Sequence, residues 1–375
     1  MNGSPSSFAD LIGQTRPVTV LRNAIRRDRV AHAYLFHGPD GVGKSTTARL
    51  FAQALNCQRV QDGAGDACGE CRSCLLIAKG NHPDVQTVTL ELDEKRRQKT
   101  EIAIDQVREL IHDAYLKRVL GRYKVYIIDP ADRMNQYSAN ALLKVVEEPP
   151  REVVLILVAS QPAALLPTII SRCQKVAFQL AGTAAISKRL QQLGVGKPTA
   201  ALLAALSGGR PGWAIRAAQQ PQFLTARSRL LDLCADMESK PLGASLRIAE
   251  QIKREAAHLA AGVPAEEDGD EEEEEPEAGG DKMAPVADRG LRAALPWCLE
   301  VMASWYRDRM AAASGGEPLN QDYADALSRS SGAEAAAQAG DAIEAVLAAR
   351  QYIIRNAHID LALEALAIQL VGGAG

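Results

Sequence analysis

The stretch Gly38-Pro39-Asp40-Gly41-Val42-Gly43-Lys44-Ser45 constrains this chain more than any other, because its setting fixes both a local fold and a chemistry. It fits G-x-x-x-x-G-K-[ST] without a mismatch. Ahead of it, Ala33-Tyr34-Leu35-Phe36-His37 is a short apolar run that predicts a buried strand. Behind it, the segment from Thr46 to Asn56 carries Ala48, Leu50, Phe51, Ala54 and Leu55 at helical spacing. Strand, glycine loop and helix in that order make a phosphate site. The glycines let successive backbone N–H groups converge, and the helix N-terminus adds the positive end of its dipole. Residues Gly38 through Thr46 are therefore the expected ATP contacts. Lys44 would reach the β- and γ-phosphates, and the Ser45 hydroxyl would ligate Mg2+.

A second nucleotide element follows at Lys124-Val125-Tyr126-Ile127-Ile128-Asp129, an apolar strand ending in a carboxylate. Asp129 stands where such proteins orient Mg2+. Proteins of this kind that hydrolyse ATP efficiently carry a glutamate next, to polarise the attacking water. Here the residue is Pro130, which has no acid or base to offer. Asp132, three residues past Asp129, would substitute only through an unusual turn. Val153 to Ala159 is a continuous apolar run, the mark of a parallel strand covered on both faces. It ends at Ser160, a side chain suited to sensing the γ-phosphate. Further on, Arg172 in Ser171-Arg172-Cys173 is either a surface arginine or a finger offered to a neighbouring subunit's nucleotide.

Between these elements lie Cys57, Cys68, Cys71 and Cys74, spaced C-x10-C-x2-C-x2-C. Four thiolates in tetrahedral array select Zn2+, and a closed four-ligand shell is structural rather than catalytic. The competing reading, a C-x-x-C redox pair, needs only two of them. Cys173, Cys234 and Cys298 stand alone among apolar residues and read as core. His82, beside Pro83, reads as a loop residue rather than a fifth ligand. Ile12 and Val18, just upstream of the glycine loop, are either ordinary packing or part of an adenine pocket.

A chain of 375 residues predicts two or three domains, and the scarcity of aromatics (4%) leans towards helix. No apolar run approaches the ~20 residues of a membrane span. Met1 to Pro5 lacks a basic start and an apolar core, so no signal peptide is expected. A cytoplasmic protein with reduced cysteines and no membrane partner follows as the expectation. The net charge of −3 is unevenly placed, with ten acidic and no basic residues from Glu266 to Glu277. The rest is mildly basic, which tolerates nucleic acid without proving contact. The acidic stretch cannot bury apolar surface and predicts a disordered loop over 262–284. Around it the pattern is helical. Apolar faces are expected from Leu230, Leu231 and Leu233, from Leu246, Ile248 and Ile252, and from Leu295, Leu299, Met302 and Trp305. Ile353, Ile354, Ile359, Leu361, Leu363, Leu366 and Leu370 predict a packed end helix.

Taken together, these residues resemble the AAA+ clamp-loader family of bacterial DNA polymerase III. The resemblance is carried by His32 to Phe36, the glycine loop, the four cysteines and Asn81-His82-Pro83-Asp84. Asn140 to Lys144 running into Glu147-Glu148-Pro149-Pro150, and Ser171-Arg172-Cys173, complete it. It covers residues 8–220 and is loose beyond them. It implies an α/β then all-α chain with three bodies: a RecA-like P-loop domain over 1–178 with an inserted zinc knuckle (57–74), a small helical lid over 179–222, and a helical collar over 223–375. It further implies a hetero-oligomer with the tau/gamma and delta subunits that loads a sliding clamp on primed DNA, with Arg172 acting in trans. In the lid motif Gly208-Gly209-Arg210-Pro211-Gly212-Trp213-Ala214, Gly212 falls where motor subunits carry an arginine that reads the γ-phosphate, with Arg210 two residues away. An intact cradle without the parts that act in the transition state implies ATP as a structural ligand, since uniform binding accelerates nothing. The rival readings are a motor ATPase of the same loader and a free-standing zinc-bearing ATP switch in recombination or repair.

Overall fold

The computed structural model describes residues 5–59, 65–91, 99–220, 222–237, 240–260, 286–327 and 332–372. The chain divides into two compact units, Met1–Ile215 and Arg216–Gly375.

The first unit is built on five parallel strands: β1 (Ala33–His37), β2 (Val85–Val88), β3 (Lys124–Ile128), β4 (Val153–Ala159) and β5 (Gln174–Ala177). Their order in the sheet is β2-β3-β4-β1-β5. Six helices accompany them: α1 (Thr15–Arg26), α2 (Lys44–Asn56), α3 (Arg72–Ala78), α4 (Ile104–Ala114), α5 (Gln136–Glu147) and α6 (Pro167–Arg172). The apolar runs are continuous because both sheet faces are covered. Along β1, Tyr34 and Phe36 enter a core with Leu21 of α1 and Phe51 of α2. Ala33 and Leu35 enter the opposite core with Leu110 of α4 and Leu142 of α5. All seven side chains of β4 are buried. β5 was not foreseen, because only Val176 is buried along it and no apolar run announces the strand. Past the sheet come α7 (Thr183–Gln192), α8 (Lys197–Leu206) and the start of α9 (Pro211–Gln219).

The second unit is helical: α10 (Gln222–Met237), α11 (Ser245–Ala260), α12 (Val286–Ala313), α13 (Ala324–Leu327), α14 (Ala333–Ile354) and α15 (Ile359–Gly372). The expected faces of α10 and α12 are buried, as are Ile248 and Ile252 of α11. Leu246 corrects the expectation, being 60% exposed. It lies two residues from Ile248, about 200° around the helix and off the buried stripe. On α15, Ile359, Leu363 and Leu366 are buried while Leu361 faces out. The buried Arg227 donates to both oxygens of Asp322 (2.7 and 2.8 Å) and to Asn320 Oδ1 (2.6 Å), which fastens the turn before α13 to α10. The acidic stretch 262–284 lies outside the described residues. Among the described residues, no helix is long and apolar enough to cross a membrane.

Candidate nucleotide site and metal cluster

Strand register assembles the site. His37 pairs with Ala159 and Ile128 with Leu157, so the residues that leave β1, β3 and β4 emerge at one edge of the sheet. These are Gly38, Asp129 and Ser160, at the carboxyl ends of parallel strands where α/β folds bind ligands. Gly38 has φ +144, and a Cβ there would lie 2.3 Å from the Phe178 carbonyl oxygen. Gly43 is left-handed at φ 102 and starts α2, so the loop turns sharply into the helix N-terminus. Ser45 and Thr46 follow in the first turn of α2.

Lys44 is the hub. Its side chain is 6% exposed, and its ammonium donates to the carbonyls of Gly38 (2.7 Å) and Pro39 (2.8 Å) and to Ser160 Oγ (3.1 Å). Burial lowers its affinity for the proton, while Asp40, Asp129 and Asp132 pull the other way. Burial raises the Asp129 carboxyl above its ordinary range, against the Ser45 hydroxyl bonded to it and the Lys44 charge. One ammonium among three carboxylates is short of positive charge, and such a site fits a divalent cation brought with a polyphosphate. Asp132 is committed elsewhere: its Oδ2 accepts the backbone N–H groups of Ser160 (3.1 Å) and Gln161 (2.8 Å).

Two further contacts reach the loop. Gln14, 2% exposed, donates from Nε2 to the carbonyls of Val42 (3.3 Å) and Gln179 (2.7 Å) and accepts the Gln179 N–H at Oε1. The turn before α9 lies on the loop from the other side. Gly212 N–H donates to the Gly41 carbonyl at 3.0 Å, and a Cβ on Gly41 would meet Arg210 Cβ at 3.3 Å. Arg210 and Gly212 therefore both neighbour the cradle. Of the suggested adenine wall, Val18 is buried in the α1 core and Ile12 is half-buried.

Arg172 belongs to a different place. It ends α6, is exposed, donates to the Thr168 carbonyl (3.0 Å) and pairs with Glu147 (3.1 Å). Neither partner is a cradle residue.

The four cysteines do come together. Their sulfurs all lie within 4.8 Å of one another, with Cys57 Sγ and Cys71 Sγ 3.9 Å apart. Four thiolates at ~2.3 Å from one ion stand about 3.8 Å from each other, so the set fits tetrahedral Zn2+. Backbone N–H groups point at the sulfurs, from Cys68 to Cys57 (3.4 Å) and from Cys71 to Cys68 (3.3 Å). Burial raises the Cys71 thiol, yet hydrogen bonds from the Cys74 and Gln58 amides and from neighbouring thiols outweigh it, holding Cys71 at about 6. All seven cysteines are free, and Cys173, Cys234 and Cys298 are buried apart from the cluster. His82 lies in the loop before β2, as expected, but is buried there, and its Nδ1 accepts the Asp84 N–H (3.1 Å). Asp66, in the knuckle, accepts the Phe8 N–H (3.2 Å) and pairs with Arg22 (2.8 Å).

The residues that sequence reading missed act on backbone groups. Asp132, Gln14, Asp66 and Asp84 bond to amides or carbonyls remote in sequence, and no local spacing encodes such a partner. Asp84 carried a signal as part of the Asn81–Asp84 motif, and Asp132 one only as a possible base.

A family model described as DNA polymerase III, delta subunit, matches residues 13–181. The delta' subunit of Pseudomonas aeruginosa DNA polymerase III is 46% identical over 187 residues, 49% of this chain and 55% of that protein. The delta' subunit of Bacillus subtilis is 36% identical over 221 residues, 59% of this chain and 64% of that protein. The tau/gamma subunit of Haemophilus influenzae is 41% identical over 189 residues, 50% of this chain but 26% of that protein. The chain thus matches from about a quarter to under two thirds of the length of these relatives. A solved gamma subunit-related protein of Thermotoga maritima covers 96% of this chain at a TM-score of 0.39 and 16% identity, too loose a likeness to argue from.

Proposed function

We propose that the chain is a delta-prime-type member of the bacterial DNA polymerase III clamp-loader family that binds MgATP but turns it over little, a reading supported by its likeness to delta' and tau/gamma subunits. In this reading it takes its place in a hetero-oligomer with tau/gamma and delta subunits that opens the sliding clamp and loads it on primed DNA. The sheet unit is the nucleotide domain, α7 to α9 its lid, and the helices after 222 the collar.

One observation carries the reading: the cradle is complete and the base is missing. Lys44, Ser45, Asp129 and Ser160 converge, whereas Pro130 occupies the position of the expected glutamate and Asp132 spends an oxygen on two backbone amides. Groups that hold the phosphates equally in ground and transition state raise affinity without raising rate. The pairing of Arg172 with Glu147, outside the cradle, supports a part for it at a neighbour's ATP rather than at its own. The cysteine quartet holds Zn2+ as a structural ion. Bound there, the ion would tie the end of α2 to α3, and Asp66 would carry that rigidity to Phe8 and α1.

A second reading, a tau/gamma-type motor, has one finding in its favour: a tau/gamma relative matches about as much of the chain as a delta' relative does, 50% against 49%. Binding and turnover separate the two. With the purified full chain, equilibrium titration with MgATP should show saturable binding that Lys44→Ala abolishes. Binding that survives Lys44→Ala, or no binding by the unaltered chain, would defeat the nucleotide reading.

A further inference from the structure

Asp132 has no part in the reading above beyond its failure to be a base, yet its surroundings are unusual. It lies in the single 3-10 turn Ala131–Arg133 that follows β3, beside the first residues past β4. One oxygen, Oδ2, accepts two successive amides, those of Ser160 and Gln161. An ionised acceptor shared by adjacent N–H groups fixes the peptide between them in place and orientation. The side chain that this peptide carries is Ser160, whose hydroxyl touches the Lys44 ammonium at 3.1 Å and also bonds Asp40. Gln161 is an exposed residue, yet its amide is held on this carboxylate at 2.8 Å. The other oxygen, Oδ1, is buried and has no hydrogen-bond partner.

We infer that Asp132 is the positioning residue that sets Ser160 against the γ-phosphate, and so makes the site prefer a nucleoside triphosphate to a diphosphate. The inference rests on the nucleotide reading proposed above and assigns its selectivity to this one clamp. Asp132 itself touches no phosphate in this arrangement. It acts through the backbone of residue 160, and Ser160 and Lys44 make the contact. The diphosphate relies on the glycine loop and the helix N-terminus, whereas the hydrogen bonds of Asp132 go to residues 160 and 161.

The test measures affinity of the full chain for MgADP and for Mg2+ with a non-hydrolysable ATP analogue, by calorimetry. Asp132→Ala should weaken the triphosphate analogue about tenfold or more, the scale of one lost charge-assisted hydrogen bond. MgADP affinity should stay within about twofold, the usual limit for an uncoupled site. Ser160→Ala should reproduce the effect, and the double variant should add little to either. Asp132→Asn is the rescue: its carbonyl can accept the same two amides, with the NH2 group at the place of Oδ1, so selectivity should persist. Equal weakening of both nucleotides by Asp132→Ala would show a merely structural residue and overturn the inference alone. Loss of selectivity in Asp132→Asn would overturn it as well. No binding of either nucleotide by the unaltered chain would overturn the nucleotide reading and this inference together. Should Asp132→Ala fail to fold, the Ser160→Ala and Asp132→Asn pair still decides.

Discussion

Asp84 offers a quantitative test of how the sheet unit is held together. Its carboxylate is 2% exposed and accepts three backbone N–H groups, from Val119 (2.8 Å), Leu120 (2.6 Å) and Gly121 (2.6 Å). It thereby fastens the turn that feeds β3, the strand that delivers Asp129. Asp84→Ala removes both acceptor oxygens and leaves three N–H donors without their partner. Bonds to an ionised acceptor are worth about 1.5–3 kcal/mol each. Val119 is 76% exposed, so water recovers part of the loss. A net cost of about 3–5 kcal/mol follows, or roughly 10 °C in the melting temperature of a domain this size. The pH dependence has a definite sign. Burial raises the Asp84 carboxyl, but the three amides outweigh it and hold the group below its ordinary value. A depressed carboxyl contributes stability above the unfolded value of about 3.9, and loses it as pH falls through the folded one. Urea unfolding should therefore show the full gap between the unaltered chain and Asp84→Ala at pH 7, closing as pH drops below about 4. Hydrogen exchange at residues 119 to 121 should accelerate in the variant at neutral pH. A gap under about 1 kcal/mol at pH 7, or one unchanged in acid, would refute the reasoning.

Three other outcomes follow from the same geometry. Cys71→Ser, or complete removal of metal, should make the 57–74 segment protease-sensitive, since closed four-thiolate sites contribute folding energy directly. Cobalt substitution should give a tetrahedral thiolate spectrum in the unaltered chain and lose it in the variant. Gly38→Ala should abolish nucleotide binding and destabilise the domain, because its Cβ would lie 2.3 Å from a backbone oxygen, and calorimetry and thermal unfolding read both effects. Arg172→Ala should leave nucleotide binding by the isolated chain unchanged. It should lower ATP turnover in an assembly with motor subunits by up to ~10³-fold, as measured by phosphate release.

Much of this fold can be read from the sequence where burial is two-sided or ligands are close in the chain. β1, β3 and β4 are visible as apolar runs because each residue meets a helix layer on one face or the other. The cysteine quartet is visible because its members fall within one short segment. β5 is not, since an edge strand with one buried side chain has no pattern to betray it. Leu246 misled because a leucine next to a buried stripe looks like part of it until the helix phase is fixed. The role of Asp132 was out of reach for a different reason. It exists only once the β3–β4 register brings the ends of two strands together, and a register between segments remote in sequence is a tertiary fact.

The proposed cradle holds ATP without the means to cleave it. Single-turnover hydrolysis by the purified full chain, with enzyme in excess over radiolabelled MgATP, tests it most directly. Bound ATP should remain intact far longer than a motor subunit's turnover time, and Lys44→Ala should lose the binding. Prompt release of phosphate, abolished by Lys44→Ala, would contradict it and give the motor reading the lead.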